Sequence, residues 1–419
     1  MRENQMILAK DRYYSLDCIE TQRNNNVLVV GASGAGKTRS IVIPNLLQAS
    51  GSYIVSDPKG NLYQQYGKYL REKGYEVMKL DFTDPMNSIH YNFFRFIRST
   101  QDIMKIATML TARDKEAVRH IDPFWDESNR LLIQALVAYL REEWTQNDQN
   151  LHRMLQLVEM FQLEGDRSTT KNAVDFLFDD LEKKNPDSYA VHTYRKVRVG
   201  TEKTLRSIMI TLNAHLGIFD TPEIAEMTGE NDVDIASIGE RKTALFVVAS
   251  DTDRSLDPLI NLFFTQAMSE LCYHADKECA NNCLPVPVRF IMDDFATNCV
   301  IEDFPRMIAS IRSRNISAML MIQAESQLQE YFGEDSKTII GNCDTYVYLG
   351  GNDVQTAQAV AERCDMPLKR VLNMPVGTNW IFRRGEDPVF GENFDLEVYL
   401  EELQREEHGV ELVREECEP

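Results

Sequence analysis

The sequence predicts an α/β protein built on a largely parallel sheet and interrupted by one all-helical domain. Three observations predict it. Short apolar runs alternate with longer amphipathic stretches at helical period. Several of those runs are continuous rather than alternating, as strands covered by helices on both faces require. One run, Val27–Val30, opens into GASGAGKT, a glycine-rich loop between a strand and a helix.

Taken in order, the expected strands are Val27–Val30, Tyr53–Ser56, Tyr75–Leu80, Thr243–Ala249, Val288–Met292, Ala318–Ile322, Thr345–Leu349 and Asn379–Arg383. Helical periods follow most of them, which makes the sheet mainly parallel. From about Phe96 to Phe219 the alternation stops. Segments such as ESNRLLIQALVAYLREEW carry apolar residues at helical spacing only. The expected division is therefore 1–95 as the first part of a nucleotide-binding domain, 96–222 as an inserted all-α domain, 223–394 as its second part, and 395–419 as an acidic tail.

Composition narrows the class. At 43% hydrophobic and 26% charged, the 419 residues belong to a globular chain rather than a disordered or fibrous one. No apolar run approaches the ~18 residues needed to span a bilayer. The opening MRENQMILAKDRYYSLD lacks the apolar core of a secretion signal, so the chain is expected to be cytosolic. The cysteine group Cys272, Cys279 and Cys283, near His274, matches no common zinc spacing and reads as reduced thiols. A net charge of −20 argues against a uniform basic coat for nucleic acid but leaves room for a local basic channel. The final 26 residues hold ten acidic side chains against Arg405 and Arg414. They read as a solvated helix face or frayed tail, or else as a docking arm for a basic partner.

The chemistry concentrates in a few stretches. Gly31, Ser33, Gly34, Ala35, Gly36, Lys37 and Thr38 lie within a complete GxxxxGK(S/T) pattern, and Arg39 follows. Glycines let successive backbone N–H groups turn inward toward phosphate oxygens, and the helix beginning near Gly36 adds its positive end. Lys37 is placed to meet the β- and γ-phosphates of ATP, and Thr38 to offer its hydroxyl to Mg²⁺. VPVRFIMDDFAT supplies acids at a strand end: Asp293 to hold Mg²⁺ through water, Asp294 as general base. Gln323 ends the next strand, where a γ-phosphate sensor could sit; an ordinary strand-end glutamine fits equally. Arg312 and Arg314, in IASIRSRNIS, are each placed either as an arginine finger toward a neighbouring subunit or as surface arginines.

The ordered set VGASGAGKTR, SDPKGNLY, DPFWDESNRLLI, FIMDDFA, LMIQAESQL and NCDTYVYLGGND resembles the conjugative coupling proteins, the TraG/TraD-like ATPases that deliver DNA to type IV secretion systems, with the Gram-positive branch most similar. The likeness runs from about Leu16 to Phe394. It implies a RecA-like P-loop domain with an inserted all-α domain, ATP with Mg²⁺, and hexameric rings. It implies Gln323 as the phosphate sensor and Arg312 as the finger, with Arg314 left open. Where the family usually has glutamate after the metal-binding aspartate, this chain has Asp294. Asp57 and Lys59, in the DPKG turn, are expected to pair with each other or reach the nucleotide edge.

The implied function is recruitment of a relaxase–DNA substrate and accessory DNA-processing proteins, and ATP-driven pumping of DNA into the secretion channel. The alternative is a nucleotide-switched cargo receptor that does not itself translocate DNA. Members of the family usually begin with a two-helix membrane anchor. Without one, this chain is expected to be soluble, to act at the cytoplasmic side of the membrane, and to form rings less readily, as a monomer in isolation. YRKVRVGTEKTLR, with Arg195, Lys196, Arg198, Lys203 and Arg206, is the densest basic stretch and the candidate DNA-tracking patch; a solvated helix surface is the plainer reading. Phe124 and Trp125 are expected in the helical core.

Overall fold

A computed structural model describes residues 4–112, 123–161, 171–296, 299–301 and 303–406. The chain divides into two compact units. One comprises Met1–Thr83, Asp234–Thr252 and Ala267–Pro419; the other comprises Asp84–Val233 and Asp253–Gln266. The break in the strand pattern, read at 96 and 222, thus lies inside breaks at 83/84 and 233/234.

The first unit holds a nine-stranded sheet. Its strands are β3 (Val27–Val30), β4 (Ser52–Ser56), β5 (Glu76–Asp81), β6 (Thr243–Val248), β7 (Val288–Met292), β8 (Ile316–Ile322), β9 (Thr345–Tyr348), β10 (Thr378–Arg383) and β11 (Val389–Glu392). The order is β11-β10-β9-β3-β8-β7-β4-β6-β5. All pairings are parallel except those of β10 with β9 and with β11. The eight strands read from the sequence are all present, with ends differing by up to two residues.

Each side chain of β3 is wholly buried. On one face Val27 and Val29 join Tyr53, Val55, Ile291, Met319 and Met321 in a core closed by Ile41, Val42 and Leu46 of the segment after the loop. Removing this apolar surface from water, at roughly 25 cal/mol per Å², is what fixes the register of the sheet.

Three features were not read from the sequence. A hairpin of β1 (Gln5–Ala9) and β2 (Arg12–Ser15) precedes the sheet. Buried Asn45 ties it down: the Ile7 N–H donates to Asn45 Oδ1 at 3.0 Å, and Asn45 Nδ2 donates back to the Ile7 carbonyl at 2.7 Å. Asn26, a residue type common in turns, is 1% exposed. Its side chain bridges the Asn342 carbonyl and the Ala318 N–H, clamping β3 beside β8. Third, the first part of the acidic tail is a helix, Leu396–Glu406, whose Leu396, Leu400 and Leu403 are buried in the same core. It is not a frayed tail but a helix with one solvated face, carrying Glu397, Glu401 and Glu402, and one buried face. Period-3.6 leucines, not its glutamates, decide its placement.

In the second unit every described element from Thr100–Leu110 to Pro222–Gly229 is helical. Helix starts are set by side-chain caps. Ser99 with Asp102, and Asn172 with Asp175, form reciprocal capping boxes. Pro123–Glu143 supplies the core stripe Leu132, Ile133, Leu136, Val137 and Leu140. Phe178 stacks on Tyr194 at 3.9 Å. Phe124 is 48% exposed and packs edge-on against half-buried Trp125 at 5.1 Å, so the pair does not form the expected core. The pair sits at the start of its helix, where the apolar stripe has not yet begun.

Candidate functional site

The loop after β3 is held at both sides. Gly31 N–H donates to the Ile322 carbonyl of β8 at 3.1 Å, and Ala32 N–H donates to the Gly350 carbonyl beyond β9 at 2.9 Å. A Cβ at Gly31 would come within 2.9 Å of Leu349 Cβ, so only glycine lets these backbones approach. Gly34 and Gly36 have φ of 77° and 87°, values open to glycine at no steric cost. The GGND block therefore braces the loop, a role its sequence did not reveal.

The helix after the loop begins irregularly. Ile43 N–H reaches back to the Thr38 carbonyl, a wide π turn over Thr38–Val42. Pro44, lacking an N–H, begins the regular helix that follows.

Lys37 is 8% exposed, and its Nζ donates to the Gly31 carbonyl at 2.6 Å and the Ala32 carbonyl at 3.3 Å. Burial pulls its pKa down, while Asp294 first and Asp293 second pull it up. Both carboxylates thus bear on the lysine, Asp294 the more strongly.

Asp293 follows the last residue of β7 and Gln323 follows the last residue of β8, the strand between β7 and β3. Parallel register sets both strand ends beside the loop. Thr38 Oγ1 donates to Asp293 Oδ2 at 2.7 Å. Burial raises the Asp293 pKa, opposed by that hydrogen bond. Asp294 takes a left-handed backbone, φ 52°, and its N–H donates to Asp293 Oδ1 at 3.1 Å. The Gln323 side chain is exposed, and its N–H is capped by Gln327 Oε1 at 2.8 Å. A hydroxyl, two carboxylates and an ammonium are gathered at the C-terminal ends of β3, β8 and β7, beside the glycine-rich loop. Such a set can hold a polyphosphate and a hard divalent cation.

The remaining candidates are placed differently. Ser33 and Gly34 are exposed at the loop tip, and Ala35 is half-buried. Arg39 turns from the loop to Glu397 Oε1 at 2.5 Å. Asp57 and Lys59 do not pair with each other. Asp57 accepts the N–H groups of Leu62 and Tyr63, capping the helix Asn61–Glu72, while Lys59 pairs with Asp251 at 3.2 Å. Burial pushes the Asp57 carboxyl up to about 6 against those two bonds.

Arg312 precedes β8, whereas Gln323 follows it. The seven-residue strand between them spans about 23 Å, at ~3.3 Å per residue, so Arg312 cannot reach the loop of its own chain. Its Nη2 donates to the Cys18 carbonyl at 2.9 Å. Arg314 is committed elsewhere, with two 2.8 Å bonds to the Asp276 carboxylate. His274 lies between Glu240 and Glu278 rather than among cysteines. In the basic stretch, Arg195 pairs with Glu182, and Arg198 with buried Asp175 at 2.9 Å, which neutralises part of the patch.

A family model described as "Type IV secretory system Conjugative DNA transfer" matches residues 3–366. The chain belongs to that family. Protein VirD4 of Rhizobium radiobacter is 24% identical to this family member over 348 residues, 80% of this chain and 47% of that protein. Conjugal transfer protein TraG of Escherichia coli is 20% identical over 358 residues, 80% of this chain and 54% of that protein. The chain spans about half the length of the curated relatives it matches. Among solved structures, the bacterial conjugative coupling protein TrwBdeltaN70 with sulphate covers 94% of this chain and 90% of that one, at 17% identity and a TM-score of 0.67. TrwB in complex with ADP and Mg²⁺ has the same identity and coverage and a TM-score of 0.65. These likenesses establish the RecA-like P-loop fold. No described helix is long and apolar enough to cross a membrane.

Proposed function

We propose that this chain is an ATP-hydrolysing coupling protein that recruits a relaxase–DNA complex and drives DNA into a type IV secretion channel during conjugation. The observation that carries the proposal is the 2.7 Å contact of Thr38 with Asp293 beside buried Lys37. Thr38 and Asp293 would hold Mg²⁺, and the amides of Gly34, Gly36, Lys37 and Thr38 with the Lys37 ammonium would hold the phosphates. The metal supplies charge neutralisation at the phosphoryl group. Lys37 now donates to two loop carbonyls and must turn from them to meet a phosphate. Asp294, already within electrostatic reach of Lys37, accepts the proton of the attacking water. Gln323 orients that water from the adjacent strand end.

Arg312, at the opposite end of β8, serves as the finger for an adjacent copy in a hexameric ring. The commitment of Arg314 to Asp276 favours Arg312. Lys196 and Lys203 contribute to DNA tracking, and accessory DNA-processing proteins dock on the helical unit. The site of action is the cytoplasmic face of the membrane.

A second reading, a nucleotide-switched cargo receptor, draws on Asp294. Its side chain is one methylene shorter than glutamate and springs from a left-handed backbone. DNA-stimulated ATP hydrolysis, compared between the natural chain and Lys37→Ala, separates the two. Hydrolysis that depends on Lys37 and rises with DNA supports the motor; nucleotide binding without turnover supports the receptor.

A further inference from the structure

The end of the sheet away from the phosphate loop holds a buried cation without an acid. Arg289, on β7, is 6% exposed. Its cross-strand neighbours in register are Tyr53 on β4 and Ser317 on β8. Its Nε donates to Ser317 Oγ at 3.3 Å, and among the described residues no carboxylate pairs with its guanidinium. A guanidinium carries five N–H donors and a full charge, and proteins bury one only with compensation.

No acid among the described residues supplies that compensation, and beside Arg289 is space. Arg289 lines a cavity of about 690 Å³, within the range of small-molecule sites. Arg312 lines the same cavity, its one described bond going to the Cys18 carbonyl. Both guanidiniums lie within electrostatic range of the Cys18 thiol, another lining residue. Asp17 is the one acid among the lining residues. Its Oδ1 accepts the N–H groups of Ile19 and Glu20 at 2.8 and 3.0 Å, so it is spent on capping a helical turn.

We infer that Arg289 and Arg312 form an anion socket that takes a phosphate group. Two planar forks facing one cavity suit a tetrahedral oxyanion with several acceptor oxygens. The phosphate comes either from solution or from the nucleotide on an adjacent copy; the second source rests on the ring reading above. Arg289 is then the deep half of the socket and Arg312 its exposed half. The assignment accounts for Arg289, which the loop chemistry leaves unused.

The test has two arms, both using Lys37→Ala chains so that the phosphate loop does not report. In the first, inorganic phosphate is titrated by calorimetry, with sodium glutamate at matched ionic strength as control. The expected result is saturable phosphate binding, weakened at least tenfold by Arg289→Met and by Arg312→Gln, and absent with glutamate. Arg312→Gln is exposed and keeps the fold readable should Arg289→Met disturb it. Arg289→Met should itself melt higher without phosphate, because an unpaired buried charge is removed.

In the second arm, a natural chain loaded with a non-hydrolysable ATP analogue is mixed with the Lys37→Ala chain, and association is read by sedimentation. Association that Arg289→Met on the Lys37→Ala partner weakens at least tenfold identifies the adjacent nucleotide as the source. No Arg289-dependent effect in either arm, or an equal response to glutamate, overturns the socket. Analogue binding by the natural chain is measured separately. If that fails, the nucleotide reading falls, and the first arm alone decides the socket.

Discussion

Thr38 and Asp293 meet side chain to side chain, the threonine hydroxyl donating to the carboxylate across 2.7 Å although 255 residues separate them. One lies at the start of the helix after β3 and the other at the end of β7, with β8 between. No local rule joins them; the parallel register of three strands does.

Lys37→Ala removes the only ammonium inside the loop. Loss of charge-assisted hydrogen bonds of about 1.5–3 kcal/mol predicts ATP binding weaker by roughly 10–150-fold. A fluorescent ATP analogue titrated into both chains measures this. Folding should survive, since Lys37 donates to loop carbonyls rather than to an acid. Unchanged affinity would remove the lysine from the site.

Asp294→Asn should leave nucleotide affinity within a few-fold and lower turnover by about 10²–10⁴, the usual range for a lost general base. Steady-state hydrolysis with and without DNA reads the effect. A fully active Asp294→Asn chain would place the base elsewhere.

Arg312→Ala should abolish hydrolysis only in assembled chains and be rescued in trans. Mixed with Lys37→Ala, it should regain activity, because each partner supplies what the other lacks. Arg314→Ala should instead cost stability through its broken pair with Asp276 while sparing turnover. Loss of turnover in Arg314→Ala with Arg312→Ala active would exchange their roles.

Asp57 makes a pH prediction. Burial raises its pKa to about 6, above the ordinary 3.8. Between these values the folded chain keeps a proton that the unfolded chain has lost. The folded state is therefore favoured at low pH and loses stability as pH rises through this window, by up to about 3 kcal/mol. Asp57→Asn keeps one acceptor for the Leu62 and Tyr63 amides and has no such proton. Urea unfolding from pH 4 to 7 should show that slope in the natural chain and a flatter one in the variant. Identical slopes would contradict it.

Leu403→Ala tests the C-terminal helix. Leu403 is 2% exposed in the core shared with the helix after the loop. Its truncation should cost roughly 2–5 kcal/mol, read by the same denaturation. A change below 0.5 kcal/mol would restore the frayed-tail reading.

The sequence made most of the sheet legible because its central strands are buried on both faces and so are continuous apolar runs. It made the phosphate loop legible because glycine spacing there answers a backbone need at Gly34 and Gly36. What it hid depends on contacts over long separations. The hairpin Gln5–Ser15 carries only four consecutive apolar residues and is held by Asn45. Asn26 has the composition of a turn, and its role lies in bonds to two distant segments, β8 and the end of the helix Ser336–Gly341. Leu396, Leu400 and Leu403 were masked by the glutamates around them, although their spacing was the readable signal. For Arg312, chain order already sets it before β8 and Gln323 after it; what the sequence did not show was its bond to the distant Cys18 carbonyl.

Magnesium dependence tests the central contact most directly. ATP-analogue affinity should be measured with and without Mg²⁺ for the natural chain, Thr38→Ala and Asp293→Ala. The account predicts that Mg²⁺ tightens binding at least tenfold in the natural chain and has little effect in either variant. Full magnesium enhancement in both variants would mean that the hydroxyl and carboxylate joined across 2.7 Å do not hold the metal.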